Sequence, residues 1–344
     1  MNTVPSQMRA VLLEQYQEDV ADAIEGLKVV ERPVPSLRRG QVLVRIEASP
    51  CNPSDLLLLK GKYGVLKMLP CVPGWEGAGT VVASGGGWLA GWLKGKPVAC
   101  GGQDDRDGTW AEFFVADAKT CIPLKRGLSV EQASSMIVNP LTAMGLLDVA
   151  RRAGHRAAVH TAGASQLGRM LLAMAAESNF PVIHVVRRYA QAELLRSLGA
   201  EHVLNSSDES FADQFQSKCS AVNATAAFEA VAGDMSGTVI NLMPPGSTVY
   251  VYGALSEEPC GNIDPIELIL RDKMVTGFYL GKWLSSRGLL GILRATAQVQ
   301  RMLIDGRIAT EVQRVLLLDE VVDGLKQYVN NMTHGKVLLK PQAR

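Results

Sequence analysis

The sequence predicts an α/β fold, a small β-rich domain followed by a doubly wound parallel sheet of the dinucleotide-binding kind. Three observations carry that expectation. Before residue 125 short apolar runs are broken by glycine and proline; from there to about 280 apolar strands alternate with amphipathic stretches; and the first strand of that series runs into a turn of small residues. With 344 residues, 47% of them hydrophobic and 20% charged, the chain can bury two cores and is too apolar to be disordered.

The β-rich part is read from QVLVRIEAS, GAGTVVASGGG, KPVACGG and WAEFFVA, with a loop around NPSD at 52–55. In the alternating part AAVH (157–160) leads to a helix near 167–178, PVIHVV (181–186) to a helix in AQAELLRSLGA, and HVLN (202–205) to a helix near 209–218. ATAAFEAV (224–231), STVYVYGAL (247–255) and MVTGFYL (274–280) read as the later strands. Such alternation builds right-handed βαβ units on a parallel sheet. The C-terminal stretch returns to helix, strand, helix and strand, ending in HGKVLLKP. The run LLLLKGKYGVLKML reads equally as a buried helix or as the lining of an acyl-chain pocket.

Charge and composition exclude several classes. Net charge is +1 and no run of five like charges occurs, so neither nucleic acid nor a membrane surface is an expected partner. A small-molecule substrate is the better expectation. The N-terminal stretch is interrupted by Arg9 and acidic residues, and no span approaches the roughly 18 apolar residues of a membrane helix, so a cytoplasmic protein is expected. Six scattered cysteines form no C-x-x-C pair, and the five histidines form no ligand-like cluster. Cys51 is read as a packing thiol.

The turn after AAVH is the candidate cofactor loop. A doubly wound sheet delivers its first strand to a tight turn whose following helix aims backbone N–H groups at a pyrophosphate. Ala162, Gly163, Ala164, Ser165 and Gly168 supply the small residues, although no G-x-G-x-x-G is present. Gln166 stands where glycine is usual; its backbone N–H serves if its side chain points to solvent. An NAD site carries an acidic residue about twenty positions on, at the end of the second strand. Here PVIHVV ends in Arg187 and Arg188. Guanidinium matches a ribose 2′-phosphate through charge-assisted, bidentate hydrogen bonds, so the expected cofactor is NADPH.

Segments spread over nearly the whole chain carry a family resemblance: NPSD, KGKYG, LPCVPGWEGAGTVVASG, GTWAEF, VNPLTAM, the turn, RSLGAEHVLN, GFYLGKW and HGKVLLKP. Together they resemble the medium-chain dehydrogenase/reductase superfamily, and more narrowly its zinc-independent branch of 2-enoyl-thioester reductases and quinone oxidoreductases. That resemblance implies a GroES-like catalytic domain (1–124 and 281–344) around a Rossmann NADP-binding domain (125–280). It implies no zinc, because Asn52 stands where zinc members have cysteine and Gly74-Trp75-Glu76 where they have Gly-His-Glu. It implies a homodimer paired through MVTGFYL.

The same resemblance points to individual residues. Tyr63 matches the tyrosine that enoyl-thioester reductases place beside the nicotinamide, and Asn52 offers a pocket amide; these are the candidate catalytic residues. Asn139 and Thr142 match the segment beneath the nicotinamide, while Met144 departs from the family's usual tyrosine. Leu167, Tyr252, Gly253, Phe278, Tyr279, Leu280 and Lys336 complete the implied cofactor contacts. Trp75, Trp110 and Trp283 are read as core or pocket wall. The implied activity is NADPH-dependent reduction of an activated C=C bond, with quinone reduction or NADPH binding without turnover as alternatives.

Overall fold

The computed structural model describes residues 4–102 and 105–341. The chain divides into two compact units, Met1–Val138 with Thr296–Arg344, and Asn139–Ala295. Sequence texture changes near 125 and 280, whereas the units divide at the start of the helix Val138–Arg152 and within the helix Leu280–Ile304. A helix that crosses a boundary leaves no break in composition to read.

The first unit is built around the strand Gln41–Pro50, which pairs antiparallel with Glu76–Ser84, Phe113–Asp117 and Lys336–Leu339. Strands Pro97–Gly101 and Ile122–Pro123 extend the sheet on one side and Val312–Leu316 on the other. Both faces of the central strand are covered over its first half, where Val42, Leu43 and Val44 are consecutively apolar and buried; beyond them Arg45 and Glu47 alternate with buried Ile46 and Ala48. Val42, Val44 and Ile46 pack with Val81, Val98 and Phe114. Leu43, of the opposite parity, packs with Leu59, Trp110, Leu316 and Leu325.

The NPSD stretch is a helix start and not a loop. Asn52 is the N-cap, Pro53 opens the helix Pro53–Leu59, and Asp55 accepts the Asn52 N–H at 2.7 Å. Proline at the first position and asparagine before it are as good for a helix entry as for a turn. The run LLLLKGKYGVLKML is a buried helix only at its start: Leu56, Leu58 and Leu59 are buried in Pro53–Leu59, but the helix ends there, Gly61 takes φ +66°, and Met68 is 90% exposed.

The second unit is a six-stranded, wholly parallel sheet. Its spatial order is 202–205, 182–186, 158–160, 226–229, 248–251, 274–277. Strand Ala158–His160 therefore lies mid-sheet, and the chain winds outward from it first to one side and then to the other. The gap between it and Ala226–Glu229 is a topological switch point, where open α/β sheets bind their ligands. Helices Gln166–Glu177, Tyr189–Ser197, Phe211–Val222 and Asp234–Leu242 connect the strands.

Candidate functional site

In the second unit the turn after Ala158–His160 is held by its own close packing. Ala162 takes a left-handed φ of 52°. A Cβ on Gly168 would fall 2.0 Å from the Gly163 carbonyl oxygen, so the helix can return onto the turn only with glycine there. A Cβ on Gly163 would reach the His184 Cβ at 2.8 Å. Ser165 caps the helix, its Oγ accepting the Gly168 N–H at 3.1 Å, which leaves the hydroxyl proton to donate elsewhere. Helix geometry gives the first-turn amides no intrahelical acceptor, so this end suits an anion. Ala164 and Leu167 are buried behind it.

Gln166 corrects the expectation. Its side chain does not reach solvent: the residue is only 7% exposed, at the first position of a helix start whose neighbours Leu167 and Gly168 are also buried. The turn thus offers its main chain and Ser165, with a buried amide behind.

Arg187 and Arg188 follow the end of the strand Val182–Val186, exposed, with both backbone N–H groups donating to Gln191 Oε1 at 3.2 Å. They stand where a 2′-phosphate reader belongs in this topology. The switch point, the anion-compatible helix start and two exposed guanidiniums together fit a phosphate-bearing dinucleotide cofactor.

The other expected cofactor residues of this unit are disposed unequally. Asn139 and Thr142 are each 8% exposed in the first turns of Val138–Arg152. Phe278 packs where that helix has Gly145, whose Cβ would lie 2.6 Å from the phenyl Cζ. Tyr279 is 52% exposed, and Leu280 begins the next helix. The Tyr252 hydroxyl is turned into the unit, 2.7 Å from His160 Nε2, and burial raises its pKa. Gly253 is glycine because the chain passes the Ala230 carbonyl oxygen, 2.9 Å from where a Cβ would sit. Trp283 donates to Asp148 Oδ2 at 3.0 Å and is buried.

The first unit holds a cluster of charge that sequence reasoning missed. Asn52 is fully buried, and its amide is held at both ends: Nδ2 donates to Glu76 Oε1 at 3.0 Å, and Oδ1 accepts from Lys336 Nζ. Lys336 also donates to the Cys51 carbonyl at 3.4 Å. Glu76 Oε2 accepts the backbone N–H groups of Ile137 and Val138 at 3.0 and 2.9 Å. Asp55 accepts from Trp75 N at 3.0 Å as well as from Asn52 N. Burial raises the pKa of Glu76 and pushes Asp55 up to about 7, with the Glu76 charge adding to the latter; burial lowers that of Lys336. The Cys51 thiol, also buried, is raised well above its usual range.

These contacts correct two expectations. The Asn52 amide is not offered to a substrate, because its oxygen and one of its N–H groups are used inside the fold. Lys336, expected at the cofactor, is 2% exposed and serves Asn52 and Cys51. A lone glutamate inside the apolar strand GWEGAGTVV was the available signal, since a buried acid needs donors and a counter-charge.

Tyr63 lies in the loop beyond the helix Pro53–Leu59. Its ring meets that of Trp75 with centroids 4.9 Å apart and planes at 38°. Trp75 is itself fixed by its Nε1 donating to Ser54 O at 3.3 Å and by Lys67 Nζ 4.7 Å from its ring centre. The half-buried phenol is therefore held by stacking on an indole. Among the described residues no group of three or more His, Cys, Asp and Glu could hold a metal ion.

Known proteins agree with this architecture. The alcohol dehydrogenase GroES-like domain family matches residues 38–126 and the zinc-binding dehydrogenase family residues 167–294. A solved protein of Mesorhizobium loti, described as an NADPH:quinone reductase, is 34% identical with a TM-score of 0.92, and the alignment covers 98% of this chain and 100% of that one. The chain belongs to the medium-chain dehydrogenase/reductase superfamily. This medium-chain oxidoreductase is also 29% identical over 284 residues to bovine mitochondrial enoyl-[acyl-carrier-protein] reductase, covering 81% of this chain and 74% of that one. A mycobacterial protein solved with NADPH shares the fold at 24% identity and a TM-score of 0.81, over 97% and 100% of the two chains.

Proposed function

We propose that this medium-chain oxidoreductase uses NADPH, without zinc, to reduce the activated C=C bond of a 2-enoyl thioester or similar α,β-unsaturated carbonyl. The observation that carries the cofactor choice is the exposed Arg187–Arg188 pair at the end of the second strand of the parallel sheet. Two guanidiniums favour a dianionic 2′-phosphate and give a ribose hydroxyl no acceptor. When bound, NADPH supplies a hydride for the substrate β-carbon. The main chain of the turn and Ser165 hold the pyrophosphate. Tyr63 donates its phenolic hydrogen bond to the carbonyl oxygen, where enolate charge gathers, and a proton reaching the α-carbon completes the reduction.

Quinone reduction is the second reading, favoured by the quinone reductase relative at 34% identity. The protein is proposed to work in the cytoplasm as a homodimer, joined at the edge strand Met274–Gly277. The deciding experiment follows NADPH oxidation at 340 nm with purified, EDTA-treated protein, offering crotonyl- and longer 2-enoyl-CoA beside simple quinones. Faster turnover on thioesters supports the first reading. Preference for quinones moves the protein to the second, and binding of NADPH without turnover of either leaves a binding role.

A further inference from the structure

The short helix Trp88–Leu93 buries Ala90 and Leu93 against the core of the first unit and turns its other face outward. On that face Trp88 is 83% exposed and Trp92 48% exposed, at the i, i+4 spacing that sets two side chains side by side. Exposed indoles so placed are an unusual expense of apolar surface in water.

Cations lie on three separate stretches next to this helix. Lys94 and Lys96 follow the helix, with Lys96 Nζ 3.1 Å from the Trp92 ring centre. Arg38 and Arg39 come from the turn before the central strand, which is tied to the glycine loop entering the helix by Gly40 N–H donating to Gly86 O at 2.9 Å. The Arg39 Cγ lies 4.0 Å from where a Cβ on Gly87 would be. Lys119 sits in the 3₁₀ turn Ala118–Thr120 that packs beside the helix. Residues 36–41, 84–97 and 118–121 contain five cations and no acid. Among the described residues no ion pair takes up any of the five, and the neighbouring Asp117 is bound by Arg106 at 3.1 Å.

We infer that this face docks the protein reversibly on an anionic lipid surface. Indole prefers the boundary between headgroups and acyl chains, and lysine and arginine around it are drawn to anionic headgroups. Two indoles on a six-residue helix are too small a contact for a stable protein interface, which needs about 800 Å² on each partner, whereas a bilayer asks only for shallow insertion with charge beside it. No run of like charge marks this patch in the sequence, because its cations come together only on folding. The inference stands apart from the reaction proposed above.

The test is flotation of the full-length protein with vesicles of phosphatidylcholine alone and of phosphatidylcholine with phosphatidylglycerol in equal parts. The wild type is expected to float with the mixed vesicles at low salt, to be released at high salt, and to stay down with the neutral ones. Arg38→Glu with Arg39→Glu, and separately Trp88→Ala with Trp92→Ala, should each weaken partitioning; each neutralised cation alone is worth about fivefold. Both variants should keep the wild-type melting temperature, since the changed side chains lie on the surface. Failure of the wild type to float, or flotation by both variants equal to wild type, overturns the inference. So does capture of the face by an acidic carrier protein with no binding to vesicles.

Discussion

Glu76 and Lys336 hold the two ends of one side-chain amide, that of Asn52, in a site closed to solvent. Each charge thereby gains a fixed partner that is neither an opposite charge nor water. Replacing Asn52 with alanine leaves a buried carboxylate and a buried ammonium short of one bond each. At about 1–3 kcal/mol for each unsatisfied group, Asn52→Ala is expected to cost roughly 2–6 kcal/mol in urea unfolding. Below its lowered midpoint the variant should keep kcat within about tenfold, because the amide does not act on substrate.

The Asp55 carboxyl sets a pH dependence. Its pKa in the fold is about 7, against 3.8 for the ordinary side chain, with burial as the leading cause. A proton held more tightly in the folded than in the unfolded state stabilises the fold at low pH. This contribution is complete below about pH 4 and is lost as pH rises towards 7. The shift corresponds to about 4 kcal/mol. Urea midpoints measured from pH 4 to 8 should fall more steeply for wild type than for Asp55→Asn, and equal slopes would refute the assignment.

Cofactor choice is expected to rest on Arg187. Losing one charge-assisted hydrogen bond costs about 1.5–3 kcal/mol, so Arg187→Ala should raise the KM for NADPH roughly ten- to a hundredfold and leave that for NADH nearly unchanged. Equal effects on both cofactors would remove the 2′-phosphate reading.

Tyr63→Phe keeps the ring stacked on Trp75 and removes only the hydroxyl. A general-acid or oxyanion role predicts a loss of about a hundredfold or more in kcat on enoyl thioesters, with the Kd for NADPH unchanged. An unaltered kcat would make the tyrosine a packing residue.

Among the described residues the edge strand Met274–Gly277 pairs only with Thr248–Val251, and in the helix Pro265–Leu270 that precedes it in the chain Ile269 and Leu270 are 71% and 73% exposed. An unpaired edge flanked by apolar side chains is a natural two-fold contact. Sedimentation should give a dimer for wild type and a monomer for Ile269→Glu with Leu270→Glu; a monomeric wild type would overturn the proposed assembly.

What could be read from the sequence was what the chain writes locally. The change from short β runs to strand–helix alternation gave the parallel sheet, and the small residues after AAVH marked the turn at its switch point. Arg187 and Arg188 were legible because they directly follow the second strand. The Asp55–Glu76–Lys336 cluster was not, because its members lie on segments far apart in sequence and only the antiparallel pairing of the first unit joins them. Asn52 was misread for a related reason: an amide before a proline looks available until the two charges that occupy it are placed. The inward side chain of Gln166 had no local signal at all.

The pairing of Lys336–Leu339 with the central strand also sets a timetable for the nascent protein. Residues 41–84 leave the ribosome long before Lys336 is translated; at about 5–20 residues per second the interval is on the order of ten to fifty seconds. The whole of Asn139–Ala295 is made within it. Throughout that time Asp55 and Glu76 have no ammonium to face, so the unit that begins first is the last to close. A chain halted just short of Lys336 would carry a complete parallel sheet in one unit and, in the other, acids without a counter-ion, a form open to quality-control proteases.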